Sequence, residues 1–89
     1  MKEAKRLNVS GNVQGVGFRY FAQMTAVEHD ITGWAQNLDN GTVAIHAEGS
    51  PENLERFIRL LKKGNLFAKV HNLHEESAPL EQSTTFRIK

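Results

Sequence analysis

Three of the chain's seven glycines fall within Gly11-Asn12-Val13-Gln14-Gly15-Val16-Gly17, and Arg19 follows two residues later. Glycine tolerates positive φ, so such a run can turn successive main-chain N–H groups inward on one anion. A helix beginning just beyond would add its unpaired N–H groups and the positive end of its dipole. Arg19 then stands in the first helical turn, where a cation is electrostatically misplaced unless an anion lies beside it. Its planar guanidinium matches the oxygens of a phosphate group. An ordinary glycine-rich turn followed by a solvated arginine fits the same residues, and the loop and Arg19 alone do not choose between the two. Nucleotide-binding patterns do not match. A Walker A loop needs Gly-Lys-Ser/Thr where this chain has Gly17-Phe18-Arg19, and the third glycine of the dinucleotide fingerprint is replaced by Tyr20.

A second polar cluster is Asn37-Leu38-Asp39-Asn40-Gly41-Thr42. Asp39, Asn40 and Gly41 are explained by turn chemistry. Asn37 comes earlier, at the end of an apolar alternation, where a side-chain amide offers one acceptor and two donors to a water molecule. Spacing by itself does not single it out.

The elements that would carry these groups follow from periodicity. Leu7 and Val9 alternate with polar neighbours, as in a half-buried strand over about Lys5 to Ser10. Phe18, Phe21, Ala22, Thr25 and Ala26 share one face of a helix over about Phe18 to His29. Ile31 to Gln36 and Thr42 to Glu48 read as strands joined by a hairpin at Asn40-Gly41. Ser50 can cap a second helix that begins at Pro51, with Leu54, Phe57, Ile58 and Leu61 at i, i+3, i+4, i+7 and an end at Gly64. Lys69 to Glu76 reads as a strand with an irregularity, because Val70 and Leu73 have opposite parity. Thr84 to Ile88 forms a short last strand, Phe86 and Ile88 pointing the same way. The order βαββαβ is the ferredoxin-like plan, an α+β sandwich whose mostly antiparallel sheet has both helices on one face. That plan serves many functions, so function has to be read from the site.

Composition narrows the classes. Eleven basic and ten acidic side chains leave a net charge of +1 over 89 residues, too balanced for a nucleic-acid or membrane binder. Without cysteine there is no disulfide, thiolate nucleophile or zinc–thiolate cluster. The charged N-terminal residues precede no apolar stretch, so neither a signal peptide nor a membrane span is expected, and a cytoplasmic location follows by default. His71 and His74, three apart in a strand, would point to opposite faces and are not expected to share a metal. His29 and His46 are read as surface positions, and Trp34 as a packing residue that could wall the pocket. Tyr20 and Phe21 fall on a helix, not on the central strands where an RNA-recognition motif carries its aromatics.

The run Gly11 to Arg19, followed by Gly33-Trp34-Ala35-Gln36-Asn37 and Gly41-Thr42-Val43, closely resembles the two signature segments of the acylphosphatase family. The resemblance covers nearly the whole chain, which it implies is one acylphosphatase-like domain over residues 1–89. It implies hydrolysis of acyl phosphates to a carboxylate and inorganic phosphate, with no metal, no cofactor and no covalent intermediate. By the same resemblance Val13, Gln14, Gly15, Val16, Gly17, Phe18 and Arg19 form the phosphate cradle. Arg19 matches the phosphate-binding arginine and Asn37 the water-positioning asparagine. The implied partners are a small-molecule acyl phosphate and, as product-like ligands, inorganic phosphate or sulfate; a monomer is expected. Three positions depart from the family pattern: Asn12 where a basic residue is common, Leu38 where a small hydroxyl or charged residue is usual, and Ala44 where bacterial members often carry an acid. Neither motif contains a histidine or carboxylate to act as nucleophile or base, which suits phosphoryl transfer by positioning and charge stabilisation.

Overall fold

The computed structural model describes residues 1–89. In chain order its elements are β1 (Glu3–Asn12), α1 (Phe18–Glu28), β2 (Thr32–Asn37), β3 (Val43–Gly49), α2 (Pro51–Lys63), β4 (Lys69–Ala78) and β5 (Phe86–Ile88). The five strands form one sheet in the order β4-β1-β3-β2-β5, antiparallel except for the β2–β5 pair. Leu7 and Val9 of β1, Ala35 of β2, and Val43, Ile45 and Ala47 of β3 are buried on the face that both helices cover. This is the ferredoxin-like sandwich expected from the periodicities.

The second helix forms as its sequence dictates. Ser50 Oγ accepts from the Asn53 N–H at 3.2 Å, Pro51 occupies the first turn, and Lys62 and Lys63 sit in the last. Leu54, Phe57, Ile58 and Leu61 are its buried stripe. Phe57 meets Phe86 of β5 edge-on, ring centroids 6.1 Å apart, which joins the helix layer to the edge of the sheet. In α1 the buried face is Phe18, Ala22, Thr25 and Ala26, with Phe21 only partly covered.

Several expectations need correction. β1 runs two residues further at each end than its apolar alternation indicated, so Gly11 and Asn12 belong to the strand and not to the loop. The irregularity in β4 is real: Ser10 pairs with Asn72 but Gly11 with Val70, leaving His71 as an extra residue. That slip lets both Val70 and Leu73 pack on the core. The hairpin is centred one residue earlier than Asn40-Gly41 suggested. The Gly41 N–H donates to Leu38 O at 3.1 Å, placing Asp39 and Asn40 at the centre of the turn, with Gly41 following at φ 90°.

The largest surprise is on the face without helices. His46, read as a surface residue, is fully buried, and so is Glu48. His46 Nε2 lies 2.7 Å from Glu48 Oε2, and Trp34 stacks on the His46 ring at 5.9 Å. Sequence alternation identifies a strand's outer face but not whether a distant segment later covers it. Residues 79–85 cover this one.

Burial disfavours the Glu48 carboxylate, but the hydrogen bonds from His46 and from the Glu81 and Ser83 N–H groups outweigh it. Its pKa therefore lies below the ordinary 4.5. A carboxylate with a depressed folded pKa adds stability above its unfolded pKa and loses it as pH falls through the folded value. Thermal unfolding followed across pH is expected to show a Glu48-dependent acid limb below about pH 4. Glu48→Gln should lower the melting temperature near neutrality and flatten that limb; an unchanged limb would contradict the assignment.

Candidate functional site

The β1–α1 connection, residues 13–17, turns through two left-handed glycines, Gly15 at φ 75° and Gly17 at φ 79°. A Cβ at either position would meet nothing within 4 Å, so conformation and not space demands glycine there. Gly17 is the N-cap of α1, and no side chain caps the helix. The first helical bond runs from the Phe21 N–H to Gly17 O at 3.0 Å. The N–H groups of Phe18, Arg19 and Tyr20 therefore have no partner inside the helix. No acidic residue stands in this first turn, so the positive end of the helix is left uncompensated by the chain.

These donors border a pocket of about 170 Å³ lined by Val13, Gly15, Gly17, Phe18, Arg19, Tyr20, Asn37 and Ile88. Arg19 Nη1 donates to the main-chain oxygen of Lys89 at 2.6 Å, which fixes one edge of the guanidinium. Asn37 ends β2 on the helix-covered face, in register with Val43. Its Oδ1 is buried and makes no hydrogen bond. A buried amide oxygen without a donor costs about 1–3 kcal/mol, a cost that calls for an explanation.

Of the eight positions read as site-bearing from the sequence, the structure brings together Val13, Gly15, Gly17, Phe18, Arg19 and Asn37 around this pocket. Gln14 and Val16 do not line it. Val16 packs against the core. The Gln14 amide instead donates to Leu38 O at 2.8 Å and Thr42 O at 2.9 Å, tying the glycine loop to the hairpin that carries Asn37. Gly11 faces β4 and takes no part. Trp34 has the opposite parity to Asn37 in β2 and lies on the other face, so it does not wall the pocket. Ala44 is on that other face too, in register with Asn8, which keeps its departure from the family pattern away from the pocket. Asn12 is exposed at the end of β1.

Tyr20, Ile88 and the Lys89 carbonyl were not identified from the sequence. Tyr20 follows Arg19 and could have been inferred from the same helical turn. Ile88 and Lys89 arrive through the parallel pairing of β5 with β2, a long-range contact without a local signal. A larger groove of about 490 Å³ lies between β1, β4 and α2, but its lining mixes Glu3, Glu55 and Glu75 with Lys5, Arg59 and Lys62. Four of those six charges pair internally, Lys5 with Glu75 and Arg59 with Glu55, each at 3.1 Å. They converge on no single ligand. No group of three or more histidine, aspartate or glutamate side chains is arranged to hold a metal ion, and no helix is long and apolar enough to cross a membrane.

The chain is similar to known proteins over nearly its whole length. The acylphosphatase family model matches residues 5–88. An acylphosphatase from Bacillus licheniformis is 49% identical over 84 residues, covering 93% of each chain. One from Clostridium beijerinckii is 48% identical over 82 residues, covering 91% of each. The crystal structure of acylphosphatase from Bacillus subtilis superposes with a TM-score of 0.94 at 41% identity, covering 100% of this chain and 99% of that one.

The tether made by Gln14 has a measurable consequence. Gln14→Ala would leave the Leu38 and Thr42 carbonyls only their main-chain donors, the Gly41 and Leu38 N–H groups, and is expected to destabilise the fold by about 1–2 kcal/mol. Urea unfolding of the variant checks this, and a midpoint equal to that of the parent would show the tether to be idle.

Proposed function

The chain belongs to the acylphosphatase family and is an enzyme that hydrolyses acyl phosphates, and from that premise we propose that Arg19 and Asn37 carry the reaction without a metal ion. The observation that bears most weight is the buried, unpaired Asn37 Oδ1 opening on the same pocket as Arg19 and the uncapped start of α1. An acceptor held dry beside a set of donors suits a water molecule that must be oriented toward a bound phosphoryl group.

In this reading the N–H groups of Gly15, Gly17, Phe18 and Arg19 cradle the phosphate, with the Gly15 and Gly17 conformations supplying the curvature. The Arg19 guanidinium holds non-bridging oxygens as negative charge redistributes in the transition state. Asn37 Oδ1 accepts from the attacking water and aligns its oxygen in line with the carboxylate leaving group. The O–P bond to the carboxylate breaks as the bond to the water oxygen forms, and the water's proton passes to a phosphate oxygen. A carboxylate needs little protonation to depart, so no protein acid is required. The pocket lining offers one cation and one amide, and no carboxylate, thiol or imidazole that would hold a metal. We take residues 1–89 as one acylphosphatase-like domain, a cytoplasmic monomer whose ligands are the acyl phosphate and inorganic phosphate or sulfate.

Arg19→Lys keeps the charge but loses the two-point grip, so phosphate affinity and rate should both fall, the rate by roughly 10²-fold or more. Asn37→Ala removes only the orienting amide. Its kcat is expected to drop by a similar order while inorganic phosphate binds nearly as in the parent. Steady-state kinetics with benzoyl phosphate and a phosphate titration separate the two. Full kcat in Asn37→Ala, or equal loss of phosphate binding in both variants, would sink this division of roles. Activity is also expected to survive EDTA, with inorganic phosphate and sulfate as competitive inhibitors. Restoration of a chelated enzyme by one divalent ion would contradict the metal-free reading.

A further inference from the structure

β4 and β5 lie at opposite edges of the sheet, so residues 79–85 must carry the chain from one edge to the other. The crossing covers four inter-strand steps, about 19 Å. It passes over the face without helices and contains neither helix nor strand. Midway, on β3, Glu48 catches it. Glu48 Oε2 accepts from the Glu81 N–H at 2.5 Å and Oε1 from the Ser83 N–H at 3.1 Å. The Glu48 side chain is 0% exposed, and His46 Nε2 supplies its third hydrogen bond. Arg6 approaches His46 Nδ1 at 3.3 Å; because a guanidinium only donates, Nδ1 accepts and the ring proton sits on Nε2, directed at Glu48. Arg6 also pairs with the Glu81 carboxylate at 3.2 Å, and the Trp34 indole N–H donates to its other oxygen at 3.0 Å.

The strap ends where the reaction pocket begins. Thr85 O accepts from the Gly33 N–H and the Lys89 N–H donates to Ala35 O, both at 2.8 Å. The next acceptor, Lys89 O, holds Arg19 Nη1 at 2.6 Å. Between them β5 is three residues long, held by its pairing with β2, by Phe86 against Phe57 and by Gln23 Nε2 donating to Phe86 O at 2.9 Å. The strap that leads into it is a further anchor for Lys89 O, and Glu48 is the only fully buried charged group that the strap touches. A buried carboxylate is expensive for a role that apolar cover could fill, unless its fixed geometry is used.

We propose that Glu48 is a positioning residue for Arg19: it pins the 79–85 strap at mid-sheet, which sets β5 and, through Lys89 O, the orientation of the guanidinium. The consequence for substrate rests on the phosphate-binding reading of Arg19, whereas the Glu48–Arg19 coupling is measurable with no ligand present. The experiment compares Glu48→Gln with the parent by the 15N order parameter of the Arg19 Nε–Hε group, by inorganic phosphate titration, and by kcat and KM for benzoyl phosphate. In Glu48→Gln the order parameter should fall, and the phosphate dissociation constant and KM should rise together by roughly two- to twentyfold, with a smaller change in kcat. Ser50→Ala, destabilised through the α2 cap, should leave the Arg19 order parameter at the parent value. If Glu48→Gln does not fold, Trp34→Phe removes one bond to Glu81 from the same strap and should shift the same readings in the same direction. Arg19 order and phosphate affinity unchanged in the folded variant, or an equal loss of Arg19 order in Ser50→Ala, would overturn the proposal. A lower order parameter with phosphate affinity unchanged in both Glu48→Gln and Arg19→Lys would leave the coupling standing and overturn the phosphate reading instead.

Discussion

The first N–H groups of α1 have no acceptor within the helix, and much of the molecule is arranged around that fact. The two helices differ at this point. At the start of α2, Ser50 accepts from Asn53 and Glu52 adds a negative charge, so donors and dipole are both satisfied by the chain itself. At the start of α1 the cap is Gly17, with no side-chain acceptor and no acid in the first turn, and a guanidinium stands among the donors. One helix start is completed for stability. The other is left open, and the two left-handed glycines hold it in that state.

Holding it open requires the surrounding segments to be fixed from several directions. Gln14 ties the loop to the Leu38 and Thr42 carbonyls, so the cradle and the strand end bearing Asn37 move as one piece. Phe18 is buried in the core at the same place, which anchors the first turn from below. The sheet divides its labour by parity. In β2, Ala35 and Asn37 face the helices while Trp34 faces the other way toward His46, so a one-residue register slip would turn Asn37 away from the pocket and Trp34 toward the helices. The antiparallel pairing of β2 with β3, which extends from Thr32 to Asn37, protects against that slip.

The local half of this arrangement was legible in the sequence. Glycine spacing, the Ser50-Pro51 cap and the Leu54-Phe57-Ile58-Leu61 stripe each act within a few residues, and each formed as read. Arg19 and the loop pointed to an anion, but Asn37 was singled out only through family resemblance, since its spacing looks like turn chemistry. The non-local half was not legible. His46 and Glu48 look like solvent-facing positions of an alternating strand, and only the crossing of residues 79–85 buries them. Ile88 reaches the pocket, and the Lys89 main-chain oxygen reaches Arg19, through a three-residue parallel pairing. The β4 irregularity was visible as a conflict of parity between Val70 and Leu73, yet the residue that resolves it, His71, could not be identified without the partner strand.

Asn37 also marks where stability has been surrendered. Its backbone is paired at the end of a well-formed ladder, and an apolar residue there would leave no buried acceptor without a donor. The fold instead keeps an amide oxygen that no donor of the chain satisfies, beside a pocket, in a domain whose total stability is of order 5–15 kcal/mol. Such a defect persists only where the rest of the structure holds the side chain in place, and here the neighbouring segments do so: Gln14 from the loop, Asn8 bonded to Thr42 at 3.0 Å, and the Asn40 turn bonded to the same hydroxyl at 2.7 Å. The rigidity of the hairpin is thus the counterpart of the unsatisfied atom. A looser hairpin would let the amide rotate to find a donor of its own, and under the proposed mechanism an amide already paired within the chain would have no acceptor free to orient water.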